Sequence, residues 1–133
     1  NGSSATYIAY CFAEKQGYSK FGSYTGNGNA DGTFIYTGFK PSWVMRKKSS
    51  AASQWTINDT ARDPFNMSKK GLTSNSNAAE DDANGYWDMD FLSNGFKMRT
   101  TETEVNGSGA TFIYMAFAEN PFVTSTGIPA TAR

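Results

Sequence analysis

Between residues 86 and 100, apolar and polar side chains alternate with a period of two. Trp87, Met89 and Phe91 alternate with Asp88 and Asp90, and Phe96, Met98 and Thr100 alternate with Lys97 and Arg99. A period of two places the sets on opposite faces of a strand. Ser93-Asn94-Gly95 between the two runs predicts a β-hairpin turn, Asn-Gly being suited to positive φ. One face is then apolar, and the other sets two aspartates near Lys97 and Arg99. Exposed cross-strand pairs of this kind contribute about 0.2–1 kcal/mol each.

Shorter strand-like runs fill the rest of the chain. Residues 17–25 are rich in aromatics, and NGNADG at 27–32 reads as a loop. Residues 33–39 form a further run, broken by Lys40-Pro41, and residues 42–48 and 54–58 flank a small-residue turn at 49–53. Asp63-Pro64-Phe65-Asn66 is a turn by composition. Residues 67–85 carry little periodicity and predict a surface loop with one helical turn around residues 78–82. Strands every 8–12 residues with almost no helical signal predict an all-β fold, an antiparallel β-sandwich or jelly-roll-like arrangement.

One internal repeat stands out. Residues 1–14 read NGSSATYIAYCFAE and residues 106–119 read NGSGATFIYMAFAE, identical at nine of 14 positions with a constant offset of 105. Each is a turn running into a strand. The copies are either two similar strands of one sandwich, or residues 1–14 close a preceding module and residues 15–133 form the next. The chain starts at Asn1 without a Met, which is expected of a mature or excised piece of something longer.

Composition narrows the chemistry. A chain of 133 residues makes one ordinary domain. Twelve basic residues balance 12 acidic ones, which argues against a nucleic-acid or anionic-membrane binder. Without histidine there is no Ser-His-Asp or Cys-His dyad and no His-containing metal site. A single cysteine forms no intrachain disulfide, and no apolar run approaches the length of a membrane span.

The remaining candidates each have a plain structural reading. Asp88 and Asp90 lie about 7 Å apart on one strand, within the range of a glycosidase pair, but Lys97 and Arg99 opposite account for them. Asp59, Asp63, Glu80, Asp81 and Asp82 fall in loops, where solvation is the default. Asn27, Asn29 and Asp31 alternate like calcium ligands, but no closing bidentate Glu follows, so no metal and no cofactor is expected. Cys11 stands where Ala116 stands in the other copy, which predicts a small buried filler. The run Arg46-Lys47-Lys48 reads as a solvated strand end. Aromatics make up 15% of the chain. The phenylalanines and the three tryptophans are assigned to the core, and Tyr18, Tyr24 and Tyr86 to exposed loop edges, where rings stack on sugars.

Several longer motifs carry a resemblance. They are residues 7–14 (YIAYCFAE), 22–28 (GSYTGNG), 37–41 (TGFKP), 62–66 (RDPFN) and 94–97 (NGFK). Together they resemble a family of bacteriophage virion proteins abundant in marine phages and marine viral metagenomes. Residues 116–122 (AFAENPF) and 127–133 (GIPATAR) resemble that family's C-terminus. The resemblance covers essentially the whole chain. It implies a module at the C-terminal end of a longer polypeptide, commonly after a concanavalin-A-like β-sandwich, in a tail fibre or other appendage. It carries over no catalytic or ligand residue.

The expected function is therefore a distal, non-enzymatic tail-fibre domain that binds a host-surface receptor, a polysaccharide. Candidate ligand-binding residues are Tyr18, Tyr24, Asn27, Asn29, Asp31 and Tyr86, in or beside loops 24–31 and 74–86. The expected location is the virion, assembled in the host bacterial cytoplasm. Expected partners are other virion proteins and further copies of the chain, by analogy a homotrimer, with no nucleic acid and no membrane. A purely structural fibre or capsid-decoration module, its rings buried in subunit contacts, is the alternative. A carboxylate-based depolymerase is third.

Overall fold

The computed structural model describes residues 3–81, 84–121 and 126. The strands are β1 (Ser19–Thr25), β2 (Phe34–Tyr36), β3 (Pro41–Lys48), β4 (Trp55–Asp59), β5 (Leu72–Thr73), β6 (Met89–Leu92), β7 (Gly95–Met98) and β8 (Thr111–Ala118). A single helical turn, α1 (Thr103–Asn106), precedes β8. Five strands form one sheet in the order β1-β8-β3-β4-β5, and three form a second in the order β2-β7-β6. Every pairing between these strands is antiparallel. The chain is the antiparallel, nearly all-β protein that its periodicity predicts.

Rings supply much of the core between the sheets. The larger sheet contributes Tyr24, Val44, Phe112, Tyr114 and Ala116, and the smaller one Ile35, Met89, Phe91, Phe96 and Met98. Tyr24 stacks on Phe112 with ring centroids 4.9 Å apart, and Phe96 stands edge-on to Tyr114 at 5.3 Å. Offset and edge-to-face pairs of this kind add about 0.5–1.5 kcal/mol beyond the area they bury. The three tryptophans, expected in this core, are only half-buried. Trp43 and Trp55 share strand parity with outward-facing positions, and Trp43 packs 5.6 Å from Phe117. Phe12, Phe34 and Phe65 are exposed, so not all phenylalanines are core either.

The outer face of the larger sheet is unusually apolar. Phe21, Met115, Met45, Ile57 and Leu72 are successive cross-strand partners across all five strands. Strand parity puts this row opposite the core-facing Val44 and Phe112.

The hairpin of β6 and β7 forms as its alternation predicts, with Phe91 opposite Phe96 and Asp90 opposite Lys97. Its turn differs in detail: neither Asn94 nor Gly95 has a positive φ. Gly95 is needed for room, because a Cβ there would lie 2.1 Å from the Ile35 carbonyl oxygen of β2. The charged face is also rearranged. Lys97 Nζ reaches Asp31 Oδ1 at 2.5 Å, leaving only Arg99 Nε across from Asp90 Oδ2 at 3.6 Å. Asp88, expected to be exposed, is buried.

The helical turn expected around residues 78–82 is absent over 78–81, and Asp82 lies outside the described residues. The backbone of Asp81 is already engaged: its N–H donates to Gly71 O at 3.0 Å and its carbonyl accepts from Gly71 N at 2.8 Å. The C-terminal motif at 127–133 lies outside the described residues too.

The two copies of the repeated segment behave differently. Residues 106–119 end α1 and supply β8, which sits between β1 and β3. Residues 5–14 form no strand, and Cys11 is exposed rather than buried. The position that its match with Ala116 implies is already occupied by Ala116 itself.

Candidate functional site

The expected site residues separate into three places. Tyr24, Asn27, Asn29 and Asp31 lie together, but as a closed plug. Tyr24 is 7% exposed, not a loop-edge ring, and its hydroxyl donates to Val105 O at 2.6 Å. It is the second-to-last residue of β1 and faces Phe112, so parity buries it. Loss of solvent pushes its phenol well above the usual range. Asn27 Oδ1 accepts from Asn29 N at 3.0 Å, and Asn29 Oδ1 from Asp31 N at 2.8 Å. These are local turns in which the amide oxygens satisfy the loop's own backbone. Asp31 is exposed, and the Lys97 ammonium beside it holds its carboxyl below the ordinary carboxylate range. Tyr18 is 45% exposed at another point, edge-on to Phe117 at 5.9 Å.

Tyr86 is different, because it lines a cleft of about 510 Å³ with residues 78, 79, 81 and 87 and residues 102–104 at the start of α1. Ala78, Asp81, Tyr86, Trp87, Glu102 and Glu104 are among its walls. Tyr86 is 48% exposed, while Trp87 is half-buried and packs on the core. A Cβ on Gly71 would lie 2.0 Å from the Trp87 ring, so glycine is what lets the indole lie against that backbone. Glu102 Oε1 accepts from Thr103 N at 2.8 Å and thereby caps α1. The cleft combines two aromatic rings with three carboxylates. Rings of this kind stack on the apolar face of a pyranose, and carboxylates accept hydrogen bonds from its hydroxyls. Glu102 and Glu104 stood outside the residues singled out from the sequence; TETEVN before a β-strand carried no local sign that it faces Tyr86.

Behind Trp87 lies a buried polar cluster that sequence reading also missed. Arg46, expected at a solvated strand end, is 1% exposed. It shares the inward parity of Val44, whereas Lys47 and Lys48 are half-buried beside it. Its Nη2 donates to Asn58 Oδ1 and to Trp87 O, both at 2.9 Å, and its Nη1 contacts Met89 Sδ at 2.8 Å. Asn58 Nδ2 in turn donates to Ser68 Oγ at 3.3 Å and Lys70 O at 3.2 Å. Burial pulls the guanidinium down to about 10, so it stays charged at neutral pH.

Asp88 flanks the same cluster, and burial pushes its carboxyl above the usual range. The folded protein therefore binds the Asp88 proton more tightly than the unfolded chain does. Its ionisation weakens the fold above the raised pKa, and that penalty is relieved as pH falls through it. Asp88→Asn removes the titration. Thermal melts at pH 7 and pH 5 should show a smaller gain, or a larger loss, on acidification in the variant than in the parent.

Among the described residues, no group of three or more acidic or cysteine side chains is placed to hold a metal ion, and no helix is long and apolar enough to cross a membrane. A family model described as a domain of unknown function, DUF7483, matches residues 1–121. The chain belongs to that family. The DUF7483 match takes in both copies of the repeated segment. No curated protein and no solved structure matches the chain.

Proposed function

We propose that this DUF7483 module is a non-enzymatic binding domain of a phage virion appendage, and that the Tyr86–Trp87 cleft takes a sugar unit of a host-surface polysaccharide. The observation that carries the ligand is the half-exposed Tyr86 beside Trp87, with Asp81, Glu102 and Glu104 around one cleft. The appendage setting rests on the resemblance of the long motifs to marine phage virion proteins. Individually weak sites are sufficient in this setting, because several copies on one appendage act together. Asn27 and Asn29 are left out of this reading because their amide oxygens accept from the loop's own backbone, and Asp31 because its exposed carboxylate pairs with Lys97.

A titration with oligosaccharides released from surface polysaccharides of marine bacteria tests this. Tyr86→Ala is expected to weaken binding about tenfold, the loss of one stacked ring, with an unchanged melting temperature. Equal binding by the variant would remove the cleft from the proposal. Shortening of the polysaccharide would replace it with a depolymerase. A second reading, a fibre-building module, is favoured by the apolar row Phe21, Met115, Met45, Ile57 and Leu72 on the outer sheet face. An assembly that buries this row while no glycan binds would favour that reading.

A further inference from the structure

The side chains of residues 7–12 are presented in a way that their own module does not explain. Tyr7, Ile8, Tyr10 and Phe12 are 62%, 81%, 82% and 58% exposed, in a stretch of backbone that forms no strand. So much exposed apolar surface within six residues marks a contact face. The same pattern at 112–117 is a central strand, with Phe112, Tyr114 and Ala116 in the core and Ile113, Met115 and Phe117 on the outer face.

The likeness extends beyond strand character to an anchor. Asn106, fully buried, accepts from Asn27 N at 3.1 Å and donates to Asn29 O and Thr100 O, each at 2.8 Å. Gly107 beside it leaves no room for a side chain, since a Cβ would lie 2.9 Å from Thr103 O. Asn-Gly-Ser stands at 1–3 as it does at 106–108. In the second copy this asparagine is received by loop 27–29 and the turn at 100–107. Strand pattern and anchor together describe the closing element of this fold.

We propose that residues 5–14 are the β8-equivalent strand of a second module of this same fold, lying ahead of this one on the same polypeptide. The offset of 105 is then the module repeat, and Glu14 to Ser19 is the junction. That junction is well fixed: Lys15 and Ser19 form an antiparallel bridge, Ser19 Oγ donates to Ala13 O at 3.0 Å, and Lys20 Nζ meets Glu14 Oε1 at 2.6 Å. Phe12 corresponds to the outward Phe117, so its contacts with Phe21 at 6.1 Å and Phe117 at 6.0 Å become the seam between modules. Cys11 takes the place of Ala116 in the neighbour's core. The two copies differ most where Tyr114 is replaced by Ala9. A Cβ on Gly22 would lie 3.0 Å from the Tyr114 ring, so the neighbour is expected to carry a larger side chain in the place of Gly22.

The single cysteine reports on this arrangement. A tandem chain is made by joining residues 15–105 directly ahead of Asn1 of the 133-residue protein, which leaves Cys11 as its only thiol. In the 133-residue protein Cys11 is expected to react with a disulfide reagent at the rate of a free thiol. In the tandem chain it should react at least about 100-fold more slowly, through opening of the strand alone. A second tandem chain with Ala9→Tyr restores the ring that faces Gly22. Protection in either tandem chain supports the proposal, and protection with Ala9→Tyr alone adds that the natural neighbour is larger at that point. Free reaction in both tandem chains overturns it. So does slow reaction in the 133-residue protein, which would mean that the segment pairs within its own copy or with a second one.

Discussion

Arg46→Ala is expected to lower the stability of the fold by about 2–5 kcal/mol, the combined cost of a large-to-small cavity and of two acceptors left unpaired. The guanidinium crosses between the sheets, bonding Asn58 Oδ1 on β4 and the carbonyl of Trp87 just before β6. Alanine leaves both acceptors in a dry interior, at about 1–3 kcal/mol for each one unsatisfied. It also opens a cavity where the side chain ran, and cavities add to the loss. Arg46→Met keeps most of the volume and isolates the polar part, so its loss should be smaller. Adding Asn58→Leu to Arg46→Met removes one stranded acceptor and should recover part of the loss, a coupling visible in a double-mutant cycle. Urea unfolding at pH 7 measures the parent, Arg46→Ala, Arg46→Met, Asn58→Leu and the double variant. A loss below about 1 kcal/mol for Arg46→Ala would mean that the guanidinium is solvated, as hydrogen bonds to exposed groups contribute little.

Arg46 marks where local sequence pattern stops being informative. Period-two alternation located β6 and β7, and aromatic or apolar runs bounded by turn residues located β1, β3 and β4, each to within two residues. It did not separate Arg46 from Lys47 and Lys48, since the partners that justify burying a charge come from Asn58 and Trp87, far along the chain. Tyr24 failed for the same reason: Val105 O accepts its hydroxyl 81 positions away. Gly95 looked like a turn glycine and is instead a close-approach glycine beneath Ile35, a contact that only the third strand of its sheet creates. Of the cleft, Tyr86 was legible as an exposed ring in a polar loop. Glu102 and Glu104 were not, because α1 faces that loop only once both sheets are assembled. The two-residue β5 escaped because so short a pairing leaves no periodicity to detect.

Asn106→Ala is expected to cost about 2–4 kcal/mol, since a buried carboxamide with several backbone partners cannot be removed without stranding them. The amide of Asn27 and the carbonyls of Asn29 and Thr100 lose their partner together. Asn106→Asp keeps the shape and the acceptor for Asn27 N but turns three donor contacts, to Asn27 Oδ1, Asn29 O and Thr100 O, into repulsions, so it should be at least as damaging. The loss should be local before it is global. Hydrogen exchange of the amides of Gly28, Asn29 and Asp31 should accelerate under conditions where Met98 and Ala116 remain protected. Unchanged exchange in that loop would mean that its own turns and the backbone bond from Gly28 N to Asn106 O hold its shape without the Asn106 side chain. The same substitution at the copied asparagine separates a structural anchor from an idle repeat. Asn1→Ala should leave the melting temperature of the 133-residue protein unchanged. In the tandem chain, where Asn1 follows a complete set of preceding strands, it should destabilise the first module about as much as Asn106→Ala destabilises the second.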